Sequence, residues 1–261
     1  MKNDFFQVVR PDEFIELLKD FAAVNEVEQV NLLEGSKRVL AKDISSRENL
    51  PAFNRSCMDG DDLRAADTFG VSEFSPGYLE CVENIEIDKL PDFCLEQGQC
   101  ACIVTGAGLP RGTDSVIMVE YTQDLSGQTI EIRKSVPPGE HVMHCGEDVS
   151  EGQDIFTKGQ TIRAQEIGLL AALGNELLPV DSKPLVGILS TGDELVSIGQ
   201  KPGQGQIRDV NTYTLAVQAE QAGARVSSYG IVADKEEQIY LALQSAIKEC
   251  DLVLLSGGSS V

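Results

Sequence analysis

The chain has 261 residues, of which 42% are apolar and 24% are charged, and this composition is that of a globular protein long enough for more than one domain. Its 21 basic and 42 acidic residues give a formal net charge of −21, which argues against a nucleic-acid-binding protein and against one that docks on an anionic membrane. There is no apolar run of the roughly 20 residues that cross a bilayer, and no apolar signal segment follows Met1, so we expect a cytoplasmic protein.

The first predicted element is an amphipathic helix over Pro11–Ala23. Phe14, Leu17 and Leu18 recur on one face with charged residues elsewhere, and proline suits a first turn. We expect this face to pack within its own domain or to form an oligomer contact.

Residues 48–138 form a predicted β module, because short apolar runs alternate there with Gly, Pro and Asp. Two polar loops, Asn54–Gly60 and Val104–Pro110, carry Asp59 and Thr105, although each loop alone is more simply a turn. The predicted strands are Glu83–Ile87, Cys100–Val104, Ser115–Glu120 and Thr129–Arg133.

The seven cysteines are odd in number and form no Cys-x-x-Cys pair, which favours reduced thiols. Cys100 and Cys102 share one face of a predicted strand, most simply as small packing residues. His141, His144 and Cys145 carry metal-ligating groups and could bind zinc, but a surface loop explains them more simply because no second ligand cluster is evident.

From Ala164 onward, helical and strand patterns alternate. A short helix over Ala164–Leu173 is apolar on most sides and is therefore expected to be buried, and Gly174 ends it. The strands that follow are almost continuously apolar, which is typical of a parallel sheet covered on both faces. The predicted elements are strands Leu185–Leu189, Arg225–Val232 and Leu252–Leu255, and helices Thr212–Ala222 and Lys235–Lys248.

Polar loops follow all three of these strands, where doubly wound sheets bind their ligands. Glu194 and Asp234 offer carboxylates, and the glycines after Ser256 allow backbone N–H groups to approach an oxyanion. A further segment, Gly205–Asn211, is expected at the same rim. Taken singly, Asp234 could equally be a helix N-cap, and a Gly-Gly loop is weak evidence.

Together, these segments resemble the MoeA family, the molybdopterin molybdenumtransferases that include the gephyrin E domain. The resemblance runs from about Pro11 to Val261, with the motifs in the family's order. The matching segments are Ser56–Gly60, Thr105–Pro110 with Val116–Glu120, Gly146–Asp148, Ile167–Gly174, Ser190–Leu195, Gly205–Asp209 and Ser256–Gly258.

The resemblance implies a multidomain α/β fold. An elongated N-terminal domain of helices and strands would comprise residues 1–46 and 141–178, with a mostly β domain inserted at 47–140. Residues 179–261 would be the first half of a doubly wound, MogA-like parallel-sheet domain. The family continues into further strands and a C-terminal β domain, so we expect these residues to belong to a longer protein and to be inactive alone.

The implied activity belongs to molybdenum cofactor biosynthesis: molybdenum passes from molybdate into adenylylated molybdopterin, AMP is released and Mg²⁺ assists. Asp59, Thr105, Glu194 and Asp234 would be catalytic, and Glu194 and Asp234 would hold the metal. The family is a homodimer whose site combines the α/β domain of one subunit with the β domain of the other, and a MogA-like adenylyltransferase is a possible further partner. The pterin-binding residues would be Ser190, Thr191, Gly192, Asp193, Asp209, Asn211, Ser256, Gly257 and Gly258.

The chain departs from the family pattern after Asp59-Gly60, where Asp61 and Asp62 replace a usual aromatic residue and its neighbour. Gly108 also stands where proline is common. Asp61-Asp62 and the absence of the family's C-terminal segment support a second hypothesis, a non-catalytic member of the family that binds the pterin or acts as a scaffold. A nucleotide-cleaving paralogue is a third possibility, but it would leave the motifs of the β module without a purpose.

Overall fold

The computed structural model describes residues 10–20, 26–125 and 127–257. They divide into two compact units. The first comprises the described parts of Met1–Lys42, Lys158–Gly168 and Asn175–Val261, and the second those of Asp43–Thr157 and Leu169–Gly174. The domain boundaries implied by the family resemblance stay predictions.

The helices of the described residues are α1 (Pro11–Leu18), α2 (Ala164–Ala172), α3 (Asn211–Gln221) and α4 (Glu236–Glu249). The strands are β1 (Val27–Asn31), β2 (Ile44–Ser45), β3 (Arg55–Ser56), β4 (Gly60–Leu63), β5 (Gly77–Asn84), β6 (Gln99–Ile103), β7 (Ser115–Met118), β8 (Thr122–Asp124), β9 (Thr129–Ile132), β10 (Val142–Met143), β11 (Asp154–Phe156), β12 (Leu177–Asp181), β13 (Leu185–Thr191), β14 (Leu195–Val196), β15 (Ile207–Arg208), β16 (Arg225–Val232) and β17 (Leu252–Ser256). Short 3-10 helices cover Leu32–Gly35, Ala65–Thr68 and Val119–Tyr121. Within the ranges described, no helix has the length and apolar character needed to span a bilayer.

The first unit contains the predicted parallel sheet, with strand order β16-β13-β17 and helices α3 and α4. The elements match the sequence prediction to within two residues at each boundary. The predicted burial on both faces is confirmed for β13, which is buried from its second residue onward. It does not hold for β16 and β17, which are largely half-buried, because within the described residues each has a neighbouring strand on one side only.

The same unit contains an antiparallel pair, β1 with β12. The buried Arg38 side chain forms an ion pair with Glu28 and donates a hydrogen bond to the carbonyl oxygen of Asp181 at 2.6 Å. Helix α1 ends at Leu18, and the predicted continuation to Ala23 lies partly outside the described residues.

The second unit is built on a six-stranded sheet in the order β7-β4-β6-β5-β9-β8. Apolar side chains pack into two buried clusters, which explains how this mostly β module sustains a core. One cluster contains Leu63, Leu79, Cys100, Ile117, Ile130, Ile132 and Val136, and the other contains Ile85, Leu95, Ala101, Ile103, Ala107, Val116 and Val142.

Two predictions about elements are wrong. The strand expected at Glu83–Ile87 is β5, Gly77–Asn84, because Leu79 pairs with Ile130 of β9 while Ile85 packs in the core beyond the end of the strand. Helix α2 is buried on one side only, because its apolar content is largely small residues that need little cover. Its exposed positions are Ala164, Gln165, Gly168, Ala171 and Ala172.

Candidate functional site

The carboxyl ends of the three parallel strands lie at one edge of the sheet, as the sequence predicts. Ser190 near the end of β13 is in register with Ser256 of β17, and Thr191 is in register with Val232 of β16. The polar loops after β13, β16 and β17 therefore start side by side.

A buried hydroxyl and carboxylate network anchors the first of these loops to helix α3. The Oγ of Ser190 donates to Oδ1 of Asp209 at 3.2 Å and lies 2.9 Å from Oγ1 of Thr212. The backbone N–H of Thr212 donates to the same Asp209 oxygen at 3.1 Å. All three side chains are buried, so this network fixes the end of β13 against the first turn of α3.

Gly257 brings the third loop into contact with the first. Its φ is +128°, and a Cβ at this position would lie 2.2 Å from the carbonyl oxygen of Thr191, so only glycine fits there. Thr191 is buried, and its Oγ1 has no hydrogen-bond partner among the residues that the structure describes. A buried hydroxyl without a partner next to a glycine-rich loop can serve a bound ligand.

The acidic residues of the site lie in the exposed loops. The backbone N–H of Asp234 donates to Oδ1 of Asp193 at 3.1 Å, which ties the loop after β16 to the loop after β13. The carboxylate of Glu194 folds back over Gly192, where a Cβ would lie 2.7 Å from its Oε2. The N-cap of α4 is Lys235, so the alternative interpretation of Asp234 as the N-cap is wrong.

Two of the remaining predicted pterin-binding residues, Asn211 and Ser256, lie at the same edge of the sheet. The Nδ2 group of Asn211, the first residue of α3, donates to Oγ of Ser256 at 2.7 Å. Gly258 lies outside the described residues. The structure thus brings together the predicted residues of the first unit that it describes: Ser190, Thr191, Gly192, Asp193, Glu194, Asp209, Asn211, Asp234, Ser256 and Gly257.

Asp59 and Thr105, the predicted residues of the second unit, also meet. The backbone N–H and the hydroxyl of Thr105 donate to Oδ1 of Asp59 at 2.7 Å and 2.8 Å. These hydrogen bonds, the backbone one first, hold the pKa of the Asp59 carboxyl below its usual range. Both side chains are exposed, so a fixed, ionised carboxylate is presented to solvent.

The donors of the sheet edge fit Mg²⁺. This ion is usually bound through one or two carboxylates together with substrate phosphates and water, and the exposed Glu194 and Asp234 offer carboxylate oxygens at this edge. Across residues 10–20, 26–125 and 127–257, no group of three or more His, Cys, Asp and Glu side chains has a metal-binding arrangement. His141, His144 and Cys145 are among these residues, and the Cys145 thiol contacts the carbonyl oxygen of Ala52.

Sequence reasoning missed Thr212, which completes the network of Ser190 and Asp209. Thr212 lies in the first turn of α3, three residues after Asp209. This spacing could have identified it from the sequence, because side chains in a first helical turn face the helix N-terminus. It also missed that Asp61 and Asp62 lie buried in a central strand.

The structure and sequence are similar to proteins of known family. A model described as the MoeA N-terminal region (domain I and II) matches residues 9–174, and one described as a probable molybdopterin binding domain matches residues 187–261. The molybdopterin molybdenumtransferase of Bacillus subtilis is 33% identical over 253 residues, covering 96% of this chain and 59% of the relative. The protein of the same name from Nostoc is 36% identical over 236 residues, covering 90% of this chain and 54% of the relative.

Among solved structures, the molybdopterin biosynthesis moeA protein from Pyrococcus horikoshii OT3 matches with a TM-score of 0.88 and 34% identity, covering 93% of this chain and 64% of that one. The chain thus spans 59% of the length of the Bacillus subtilis relative. The first family model covers more than half of the chain, the second follows it in order, and the fold agrees, so the chain belongs to the MoeA family.

Proposed function

We propose that the chain contributes the site described above to the molybdenum-insertion step of molybdenum cofactor biosynthesis, which the complete gene product carries out. In this reaction molybdenum passes from molybdate into adenylylated molybdopterin and AMP is released. The convergence of the three loops at the carboxyl edge of the sheet is the observation that carries the proposal, because a phosphorylated ligand is bound at such an edge in doubly wound folds. The names of the two curated relatives support the same class of enzyme, a transferase acting on molybdopterin.

We assign the phosphate-binding role to the backbone and hydroxyl groups of the edge. Gly257 lets the third loop approach Thr191 closely, and the unpartnered Thr191 hydroxyl is available to donate to a phosphate oxygen. Ser190, Asp209 and Thr212 hold this loop in place through their buried hydrogen bonds. Gly192, Asp193, Asn211, Ser256 and Gly258 are assigned to the same pterin-binding rim.

Glu194 and Asp234 would hold Mg²⁺ in the ligand complex. A protein with a net charge of −21 repels a substrate that carries several phosphate charges, and two carboxylates at the edge add to that repulsion. When bound, the cation would neutralise phosphate charge and favour cleavage of the phosphoanhydride. The two carboxylates then act as ligands that position the anhydride, rather than as a general acid and base.

Asp59 and Thr105 would complete the site from the second unit of a partner subunit, so the active form is a homodimer. The carboxylate of Asp59 is held in one orientation by two hydrogen bonds from Thr105, which suits a positioning role toward the incoming substrate. A MogA-like adenylyltransferase, the enzyme class that would supply an adenylylated pterin, is the partner expected upstream.

The non-catalytic scaffold is the alternative function. Its sequence support came partly from Asp61 and Asp62, yet these residues lie within β4 and leave the hydrogen bonds between Asp59 and Thr105 in place. The proposal therefore favours turnover over binding alone.

The test is an assay of the complete gene product with adenylylated molybdopterin, molybdate and Mg²⁺. We expect AMP release coupled to molybdenum insertion, and we expect Glu194→Gln and Asp234→Asn each to lower the rate on the order of 100-fold or more. Glu237→Gln, at an exposed carboxylate in the first turn of α4, is the matched control and should retain the wild-type rate. Pterin binding without AMP release would favour the scaffold, and neither binding nor release would contradict both functions.

A further inference from the structure

A pair of thiols and a carboxylate lie together on one face of the six-stranded sheet, apart from the groups assigned to the proposed function. The Sγ atoms of Cys81 and Cys102 are 3.6 Å apart, and the Cys102 thiol donates to Oδ1 of Asp61 at 3.3 Å. Both cysteines are partly exposed, whereas Asp61 is buried. Cys81, Cys102 and Asp61 therefore form a continuous chain of contacts, and its two cysteines are partly exposed.

The strand pairing creates this arrangement. Asp61 of β4 is paired directly with Cys102 of β6, so their side chains lie on the same face. Between β5 and β6 the register shifts between Cys81 and Glu83. Cys81 is in register with Cys100, yet its sulfur reaches that of Cys102, two residues farther along the strand.

We propose that Cys81 and Cys102 are a modification site, a dithiol that a small-molecule disulfide such as oxidised glutathione converts to an intramolecular disulfide, with Asp61 as the base for the second thiol. The sulfur atoms must approach by about 1.5 Å to reach the length of a disulfide bond. Because Cys81 pairs with Cys100, Cys102 lies diagonally across the two strands, so closing the bond also requires a backbone adjustment at the register shift after Cys81.

The reaction has two balanced steps. The Cys81 thiolate attacks one sulfur of the reagent, so a protein–glutathione disulfide forms and one glutathione thiolate leaves. The Cys102 sulfur then attacks the Cys81 sulfur, its proton passes to the Asp61 carboxylate, and a second glutathione thiolate leaves. The two thiols are oxidised by two electrons, and the reagent is reduced to two molecules of thiol.

The surroundings explain why the second thiol needs a base. Burial raises the pKa of the Cys102 thiol, and the nearby Asp61 charge raises it further, so this thiol is protonated at neutral pH. Burial likewise raises the pKa of the Asp61 carboxyl, with a smaller contribution from Asp124, and this makes its carboxylate a stronger proton acceptor.

The other cysteines provide controls within the chain. Cys100 is fully buried in the core, and Cys94 and Cys145 are exposed, with their thiols directed at backbone carbonyl oxygens. A double variant, Cys94→Ser with Cys145→Ser, removes the two exposed thiols and leaves the proposed pair intact.

The experiment treats this double variant with oxidised glutathione at about pH 8 and follows the products by mass spectrometry of peptides under non-reducing conditions. We expect a transient glutathione adduct on Cys81, followed by a crosslink between the peptides of Cys81 and Cys102 that dithiothreitol reverses. A persistent adduct, a crosslink to Cys100 instead, or no reaction at either cysteine would overturn the proposal.

Asp61→Asn in the same background tests the role of the base. The first step should keep its rate, because Cys81 performs it, while the second step should slow about 10-fold or more so that the adduct accumulates. Asp62→Asn, on the opposite face of the same strand, is the matched control and should leave both rates unchanged. Equal rates of the second step in Asp61→Asn and in the control would overturn the assignment of Asp61.

Discussion

The carboxyl group of Asp62 is fully buried at the centre of the six-stranded sheet. Thr113 donates its hydroxyl to Oδ2 at 3.0 Å, but Oδ1 has no hydrogen-bond partner within the described part of the chain. Burial raises the pKa of this carboxyl to about 8, and the neighbouring Asp114 adds to the shift. At neutral pH the folded protein therefore holds Asp62 largely protonated, although an unfolded chain would ionise it.

This shift predicts a pH-dependent stability. Because the pKa is higher in the folded state, the stabilisation that Asp62 contributes is fully present below about pH 4 and is lost as the pH rises through about 8. Asp62→Asn cannot ionise, so it should be more stable than the wild type by about 1–3 kcal/mol above pH 8, with a smaller difference at pH 5. Chemical denaturation across this pH range measures the difference.

Asp88→Asn, at an exposed carboxylate of the same unit, is the control and should follow the wild-type profile. Parallel profiles for Asp62→Asn and the wild type would show that Asp62 is ionised in the folded protein and would contradict its assignment as a neutral buried acid.

At the scale of elements, the parallel sheet was predictable and the strand β4 was not. Apolar runs such as those of β13 and β16 can be recognised because burial demands them. No strand was predicted over Gly60–Leu63, because two adjacent carboxylates rarely enter a sheet. Tertiary partners decide the outcome: Cys102 and Thr113 provide the hydrogen bonds that local sequence cannot reveal.

The candidate site was predictable to a similar extent. Polar strand ends such as Ser190 and Ser256 indicated which edge of the sheet is the candidate ligand-binding edge, because parallel strands share one carboxyl edge. The hydrogen bonds that fix the loops, such as that between Asn211 and Ser256, depend on distances that only the folded sheet sets.

Helix α3 offers a prediction at this scale. Asp209 precedes the N-cap position Val210, and its Oδ1 accepts the N–H of Thr212 and the hydroxyl of Ser190. Asp209→Ala removes this acceptor from a buried position, so we expect a loss of about 1–2 kcal/mol in the free energy of unfolding. Urea denaturation followed by circular dichroism measures it.

Asp209→Asn keeps one acceptor oxygen and should lose less stability than the alanine variant. Equal and negligible effects of the two substitutions would mean that the Asp209 network does not stabilise the start of α3.

At the scale of the whole molecule, the proposal divides the candidate site between two copies of the chain. The loops after β13, β16 and β17 carry Glu194 and Asp234, and the second unit carries Asp59 and Thr105. If each site takes Asp59 from one subunit and Glu194 from the other, inactivating different groups in the two subunits leaves one of the two sites intact.

The most direct test of this account is the activity of a mixed dimer of the complete gene product. Asp59→Asn and Glu194→Gln subunits carrying different affinity tags are co-expressed, the heterodimer is purified through both tags, and Mg²⁺-dependent AMP release from adenylylated molybdopterin is measured. The account predicts that each homodimeric variant is inactive and that the heterodimer has about half of the wild-type activity. A heterodimer no more active than its parents, or a chain that stays monomeric, would contradict a molybdenum-inserting site shared between subunits.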